Sequence, residues 1–382
     1  MGPLTGLKII EIASLAPGPF CAMMLADMGA EVIRIDRTDN ATDHYPITWD
    51  KNLLNRGRKS VALDLKDPKA VQIILDLCKE ADGLIEGFRP GVMERLGLGP
   101  DECLAANKSL VYGRVTGWGQ NGHLAQTAGH DINYISLTGA LHATGTKSMP
   151  IPPLNLLGDF AGGGMLLAFG VVCALLEAKK SGKGQVVDAA MTDGAALLMT
   201  LIHTMHNEGV WRDSRESNLV DGGAPHYRVY KTKDEKFISV GAIEPKFYHA
   251  LIKTLQLDKD PLFSNPNHPK KWRRMTEKLE NIFLEKTRDE WVEIFSDVDA
   301  CFTPVKTLAE APFDEHNKSR NTFVEIAGVT QAAPAPRFSR TPGKISQPPC
   351  CAGENTKEVL LSWGISEDRI STLIQEGGGV QT

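Results

Sequence analysis

LKIIEIASLAPGPFCAMMLADMGAEVIRID, residues 7–36, holds two short apolar runs with a turn and a helix-forming stretch between them. Leu7 to Ile10 reads as a buried strand, Ala16-Pro17-Gly18-Pro19 as a turn, about Phe20 to Met28 as a helix, and Glu31 to Ile35 as a second strand. Strand, turn, helix and strand at this spacing predict a parallel, doubly wound α/β sheet. Asp36 closes the second strand, as the acidic residue of a dinucleotide-binding unit does. The first turn, however, lacks the G-x-G-x-x-G that lets backbone approach a pyrophosphate, so a nicotinamide cofactor is not expected.

Further units of the same kind follow. Ala70 to Cys78 has helical spacing, Gly83 to Glu86 is strand-like, and Leu110 to Val115 is a strand running into the loop TGWGQNG, residues 116–122. Ligands of open α/β sheets collect at the carboxyl ends of strands, where that loop lies. Among the basic residues Arg34, Arg37, Arg56, Arg58, Lys59, Lys66 and Arg89, most read as solvated surface. Arg37 and Arg89, each just past a strand, are better placed to meet phosphates.

A strand at Gln185 to Ala189 and an apolar helix at about 193–205 complete the first domain. His203 and His206 share a face of that helix, but no metal pattern such as H-E-x-x-H surrounds them, so they read as surface or packing residues. The polar stretch 207–225 reads as a linker. Beyond it Tyr227 to Tyr230 and Phe237 to Val240 form a hairpin, and helices are expected at about 245–256, 269–285 and 287–296, the last opened by a Thr287/Glu290 capping box. The expected organisation is therefore a large domain over 1–206, a linker over 207–225 and a small α+β domain over 226–305. A return over 306–382, Pro-rich and extended over 312–352, follows Cys301 to Val305, where the chain leaves the small domain, and its helices near 354–363 and 366–376 pack back on the first domain.

Composition excludes several classes. A chain of 382 residues is long enough for two cores, and a formal net charge of -5 argues against nucleic acid as the main partner. Seven scattered Cys without a CxxC pair fit reduced thiols in an intracellular compartment. Neither a secretory nor a mitochondrial leader pattern is visible in MGPLTGLKIIEI, and GGGVQT is not a peroxisomal tripeptide. The longest apolar run, Met165 to Leu176, falls short of the roughly 20 residues of a membrane span, so membrane insertion is not expected.

Two titratable residues stand out between 128 and 178. His130 lies in AGHDINY, residues 128–134, and Asp159 in PLNLLGDFAGGG, residues 153–164, ahead of a run nearly free of polar residues that predicts a buried helix. The plain alternative for Asp159 is a helix N-cap. A carboxylate at a buried helix start also stands beside unpaired N–H groups and the positive end of the dipole, a place that suits an anionic intermediate. An imidazole and a carboxylate on opposite sides of one carbon can remove a proton from one face and return it to the other.

The blocks LAPGPFCAMMLADMGAEVIRIDR, GFRPGVMERLGLGP, TGWGQNG, AGHDINY, PLNLLGDFAGGG, GKGQVVDAAM, DGGAP, VGAIEPKFY and DACFTPV, in that order from Leu15 to Val305, resemble the family III CoA-transferase group. Within it they resemble the branch that epimerises 2-methylacyl-CoA thioesters. The resemblance implies an interlocked homodimer with a Rossmann-like large domain and a smaller α+β domain. It implies CoA contacts at Arg37, Ala62, Leu63, Asp64, Leu65, Arg89, Gly129, Asp131, Ile132, Asn133 and Tyr134. His130 and Asp159 match its two acid/bases, and Glu244 an acidic residue that orients the His. The enolate oxygen would be met by backbone N–H groups beside Asp159, donors often worth about 3 kcal/mol each. The implied substrate is a 2-methyl-branched acyl-CoA, with no metal and no separate cofactor, and the implied compartment a peroxisome or mitochondrion. Two other readings remain open. One is a CoA-transferase in which Asp159 attacks the acyl group, and the other is a non-catalytic acyl-CoA-binding protein.

Overall fold

The computed structural model describes residues 2–39 and 47–382, and by residue contacts these form two units. One comprises residues up to Thr138, Leu154–Leu198 and Lys318–Thr382; the other comprises Gly139–Pro153 and Met199–Asn317. The breaks thus fall near 198 and 317, where the sequence suggested 206 and 305, and residues 139–153 join the second unit.

In chain order the strands are β1 Lys8–Ile12, β2 Glu31–Asp36, β3 Lys59–Leu63, β4 Gly83–Glu86, β5 Val111–Thr116, β6 Val186–Ala190, β7 Tyr227–Lys231, β8 Phe237–Gly241, β9 Phe302–Pro304, β10 Phe323–Ile326, β11 Val329–Ala332 and β12 Gly379–Val380. In the first unit seven of them form one sheet in the order β12-β3-β2-β1-β4-β5-β6. Strands β1 to β6 are parallel, in the doubly wound order with its reversal between β1 and β4. Alternation along each strand splits the core into two layers. Ile10, Ile12, Ile33 and Ile35 pack with Ile73, Ile74 and Leu77 of α2 (Pro68–Glu80) and with Val359, Leu360, Ile370 and Leu373 of the chain's last two helices. Ile9, Val32 and Ile85 face the other way, onto Cys21, Ala22 and Leu25 of α1 (Pro17–Asp27) and Leu167, Val171 and Ala174. Helices on both sides bury both faces of the strands, which is why they read as continuous apolar runs.

Several expectations are corrected here. Arg34, Arg56 and Arg58 are not solvated surface. All three are buried and paired, Arg34 with Asp36 at 3.0 Å, Arg56 with Asp27 at 2.5 Å and Arg58 with Glu11 at 3.0 Å. The C-terminal tail supplies an unexpected strand, β12, which runs antiparallel on the edge of β3. The return segment is not wholly extended, because β10 and β11 form a hairpin within it. The helix after β6 is two helices, Met191–Leu198 and Thr200–Asn207.

The helix behind Asp159 differs most from its expectation. It begins as a π-helical segment, Leu156–Met165, and continues as an α-helix, Leu166–Ser181. Its outer side is exposed at Met165, Phe169 and Leu176, so only one side is buried. The combined 26-residue run has a mean hydropathy of 1.9 over its most apolar window, long and apolar enough by those measures to cross a membrane, although the shorter apolar run within it is not. Its inner side is committed to the core of this unit.

The second unit is built on the antiparallel sheet β7-β8-β9, covered by the helices Pro245–Thr254, Pro269–Phe283 and Arg288–Ile294. Cys301 to Val305 does not leave this domain, as the sequence suggested, but supplies β9. Aromatic rings fill the core, with Phe295 stacked on Phe302 at 4.2 Å and Phe283 edge-on to Trp291. Thr287 and Glu290 form the expected capping box.

Candidate active site

His130 stands at the start of the helix Asp131–Ser136, in extended backbone (φ −135°, ψ 174°). Its N–H donates to Asn133 Oδ1 at 3.0 Å, and the Asn133 N–H donates back to the His130 carbonyl at 2.7 Å, which fixes the backbone that carries the imidazole. The loop before it is held by rings. Trp118 meets Tyr134 edge-to-face at 4.8 Å, Trp118 Nε1 donates to the Thr127 carbonyl at 3.1 Å, and the Tyr134 hydroxyl donates to the Gly129 carbonyl. A Cβ at Gly129 would press on both rings, so glycine is required there. The imidazole itself is exposed.

Asp159 is not the N-cap of its helix. It lies inside the first π-helical turn, and Asn155 precedes that turn. The capping acceptor comes from elsewhere in the chain: Oδ2 of the buried Asp131 takes the N–H of Gly158 at 2.6 Å and of Asp159 at 2.7 Å. These two donors are therefore occupied by Asp131. The same bonds place His130 and Asp159 on one surface, because residue 131 follows the imidazole in the chain and grips the backbone of the carboxylate. Asp159 Oδ2 accepts from Asn155 Nδ2 at 3.0 Å. Burial pushes the Asp159 carboxyl above its ordinary range and the charge of Asp131 adds to that, while the Asn155 bond and His130 pull the other way.

The wider π-helical turn and its glycines let this segment sink between neighbours. A Cβ at Gly163 would come within 2.8 Å of Met191, and one at Gly164 within 2.6 Å of the Pro17 carbonyl. Beside the segment opens a cavity of about 530 Å³, lined by Asn155 and Phe160 from this helix, Ser14 and Ala16 from the turn after β1, and Arg34 and Ser60 among others. It lies toward the carboxyl ends of β1 and β2, with Arg58 and Ser60 from the start of β3, and its volume suits part of a medium-sized ligand. Ser14 Oγ and Arg34 Nε are buried in its wall without a hydrogen-bond partner. At the start of α1, Pro17 and Pro19 carry no N–H, which removes two of the donors a pyrophosphate would meet there.

The other residues singled out from sequence fall into separate places. Arg37 is exposed and forked onto Asp39 at 2.7 and 3.1 Å, and Arg89 is exposed in the loop after β4. That loop is held by Glu86, which accepts the Phe88 N–H at 2.6 Å, and by Gln126, which donates to the Pro90 carbonyl at 3.2 Å. The Arg89 charge is felt at Tyr134, where it opposes the upward push of burial on the phenol. Ala62 and Leu63 are buried in β3 under β12, and the Ala62 N–H is held by Thr356 Oγ1 at 3.1 Å, so neither offers a ligand a free surface. Asp64 and Leu65, just past the strand, are partly exposed. Asp131 and Tyr134 are buried, whereas Ile132 and Asn133 are exposed. Glu244 belongs to the second unit, where it is exposed directly before Pro245 at a helix start. His203 and His206 are exposed, and among the described residues no three His, Cys, Asp or Glu side chains gather as a metal site. Asn155 and the capping role of Asp131 were not visible in the sequence.

A doubly wound sheet carrying an imidazole and a shielded carboxylate on one surface, beside a cavity at its strand ends, defines the class. The chain belongs to CoA-transferase family III, whose model matches residues 4–356. It is 44% identical over 375 residues to human alpha-methylacyl-CoA racemase, covering 97% of this chain and 96% of that protein. Human succinyl-CoA:glutarate CoA-transferase is 28% identical over 400 residues, covering 98% of this chain and 89% of its own. The crystal structure of a CAIB/BAIF family protein from Brucella suis superposes with a TM-score of 0.83 at 24% identity, covering 95% of this chain and 99% of that one, a likeness of fold.

Proposed function

We propose that this chain interconverts the 2R and 2S epimers of 2-methylacyl-CoA thioesters by moving one proton between the faces of carbon 2. The 44% identity to a racemase of that name over nearly the whole chain supports the activity. The observation that carries the mechanism is the grip of Asp131 on the backbone of residues 158 and 159, which sets His130 and Asp159 beside each other.

In one direction neutral His130 takes the proton from carbon 2 and the C–H electron pair becomes the enolate. Asp159, as the carboxylic acid, then donates its proton to the opposite face. The enzyme is left as imidazolium and carboxylate, the state from which the reverse direction starts. A carboxyl raised above its ordinary range is suited to this role, because an acid that is always ionised has no proton to return. The chemistry calls for no metal or flavin, and CoA enters as part of the substrate. In this reading the working unit is a homodimer, and Glu244 of a second protomer holds the other imidazole nitrogen and fixes its tautomer.

The test is incubation of a single-epimer 2-methylacyl-CoA in deuterated water. Deuterium at carbon 2 together with the other epimer supports epimerisation, and binding of the thioester with neither outcome defeats it. The CoA-transferase reading draws on relatives such as the human succinyl-CoA:glutarate enzyme. It requires an acyl-Asp159 intermediate that hydroxylamine traps, with CoA passing to a free acid.

A further inference from the structure

Asp131 is 5% exposed, and its two oxygens have unlike surroundings. Oδ2 holds the N–H groups of Gly158 and Asp159, while Oδ1 is buried with no hydrogen-bond partner. Capping alone does not account for an aspartate. A neutral Asn or Ser oxygen caps a helix about as well, and a buried carboxylate with one oxygen unpaired is costly to keep. The site is also fitted to this side chain, since a Cβ at Gly158 would stand 2.6 Å from Asp131 Oδ2.

We propose that Asp131 is a positioning residue for the epimerisation, holding Asp159 in register with His130 through one peptide unit and one carboxylate oxygen. This rests on the epimerase reading and deepens it. The path from the imidazole to the catalytic carboxylate then runs through the link from residue 130 to 131, the Asp131 side chain and the bond to the Asp159 N–H. No flexible loop interrupts it. The retained negative charge has a second effect, because it opposes ionisation of Asp159 and so keeps part of that group in the acid form that returns the proton. Without the charge less of Asp159 carries the proton it has to return.

Two substitutions separate the parts. Asp131→Asn keeps an acceptor for the two N–H groups and removes the charge. The acid limb of its kcat/KM profile should move about one unit to lower pH. The shift should be equal for the two epimers, whose kcat/KM values are tied by the equilibrium constant. Asp131→Ala removes the acceptor as well and should lower kcat about 100-fold, the scale of an ångström-sized misplacement. The Asp159 carboxyl titration, followed by NMR on protein labelled in its aspartate carboxyls and assigned with Asp159→Asn, should move down in Asp131→Asn by the same amount as the acid limb. If Asp131→Asn fails to fold, Gly158→Ala, which crowds the same oxygen, should reproduce the fall in kcat. Profiles and titrations that superpose on those of the parent, or a Gly158→Ala enzyme of full activity, would overturn the proposal. A parent that never exchanges the carbon 2 hydrogen would sink the epimerase reading, yet the carboxyl titration would still show whether Asp131 and Asp159 are coupled.

Discussion

Two helices in the first unit begin near the cavity, and their starts are built in opposite ways. At α1, prolines occupy positions 17 and 19, no side chain caps, and Ala16 takes a positive φ of 44° to turn the chain. At the π-helical start, Asp131 takes two N–H groups and a run of glycines lets the segment sink against its neighbours. In a dinucleotide-binding protein of this strand order, the first helix start is where phosphate binds. Here that start is closed by proline, and the chemistry stands on the later one. Strand order therefore says where a ligand can lie and leaves open which helix start does the work.

The sharpest way to break this contrast is to remove the groups on the second start. His130→Ala and Asp159→Ala should each lower epimerisation by about 10²- to 10⁴-fold while thioester binding persists, measured by optical rotation and by equilibrium binding. A loss of under tenfold for either would leave the pair without its assigned role. Next in size is the contact between the two starts. Gly164→Ala would set a methyl group 2.6 Å from the Pro17 carbonyl, so one helix must shift. A loss of about 1–3 kcal/mol in denaturant unfolding is expected, and an unchanged midpoint would show that the close approach carries no weight.

Asp159 offers a third, smaller test. Its folded-state pKa is raised, so the native protein holds more protons than the unfolded chain between the unfolded and folded values, and stability falls as pH rises through that window. Above the folded value that cost is present in full. Asp159→Asn should then melt above the parent at a pH higher than both values and show no gain at a pH below both, while losing epimerisation. The smallest effect belongs to the closed start. Pro19→Ala should cost about 0.5–1 kcal/mol and leave turnover within about twofold, because that helix start touches no reacting group. A large fall in kcat there would erase the contrast between the two starts.

The fold was readable because parallel strands buried on both faces appear as short apolar runs, as in Lys8–Ile12 and Glu31–Asp36. What escaped had weak or distant signals. β12 is two residues, one of them glycine, paired to an edge far back in the chain, and β9 is three residues ending in proline. Arg34, Arg56 and Arg58 looked solvated because a charge carries no mark of burial in sequence, and the acids that neutralise Arg56 and Arg58 lie 29 and 47 positions away. Asp159 looked like a cap because an Asp before an apolar run usually is one. The actual cap, Asp131, reaches residue 159 across 28 positions, and nothing local announces it. His130 and Asp159 stand out in the sequence as titratable groups near an apolar helix, whereas the carboxylate that joins them is recognisable only in the folded chain.

The most direct measurement is deuterium uptake at carbon 2 from each pure epimer of a 2-methylacyl-CoA, with the His130→Ala and Asp159→Ala enzymes side by side. With one base left on each, every variant should exchange a single epimer without inverting it, and the two variants should select opposite epimers. Exchange of the same epimer by both, or inversion that survives the loss of either group, would contradict proton transfer between an imidazole and a carboxylate on opposing faces.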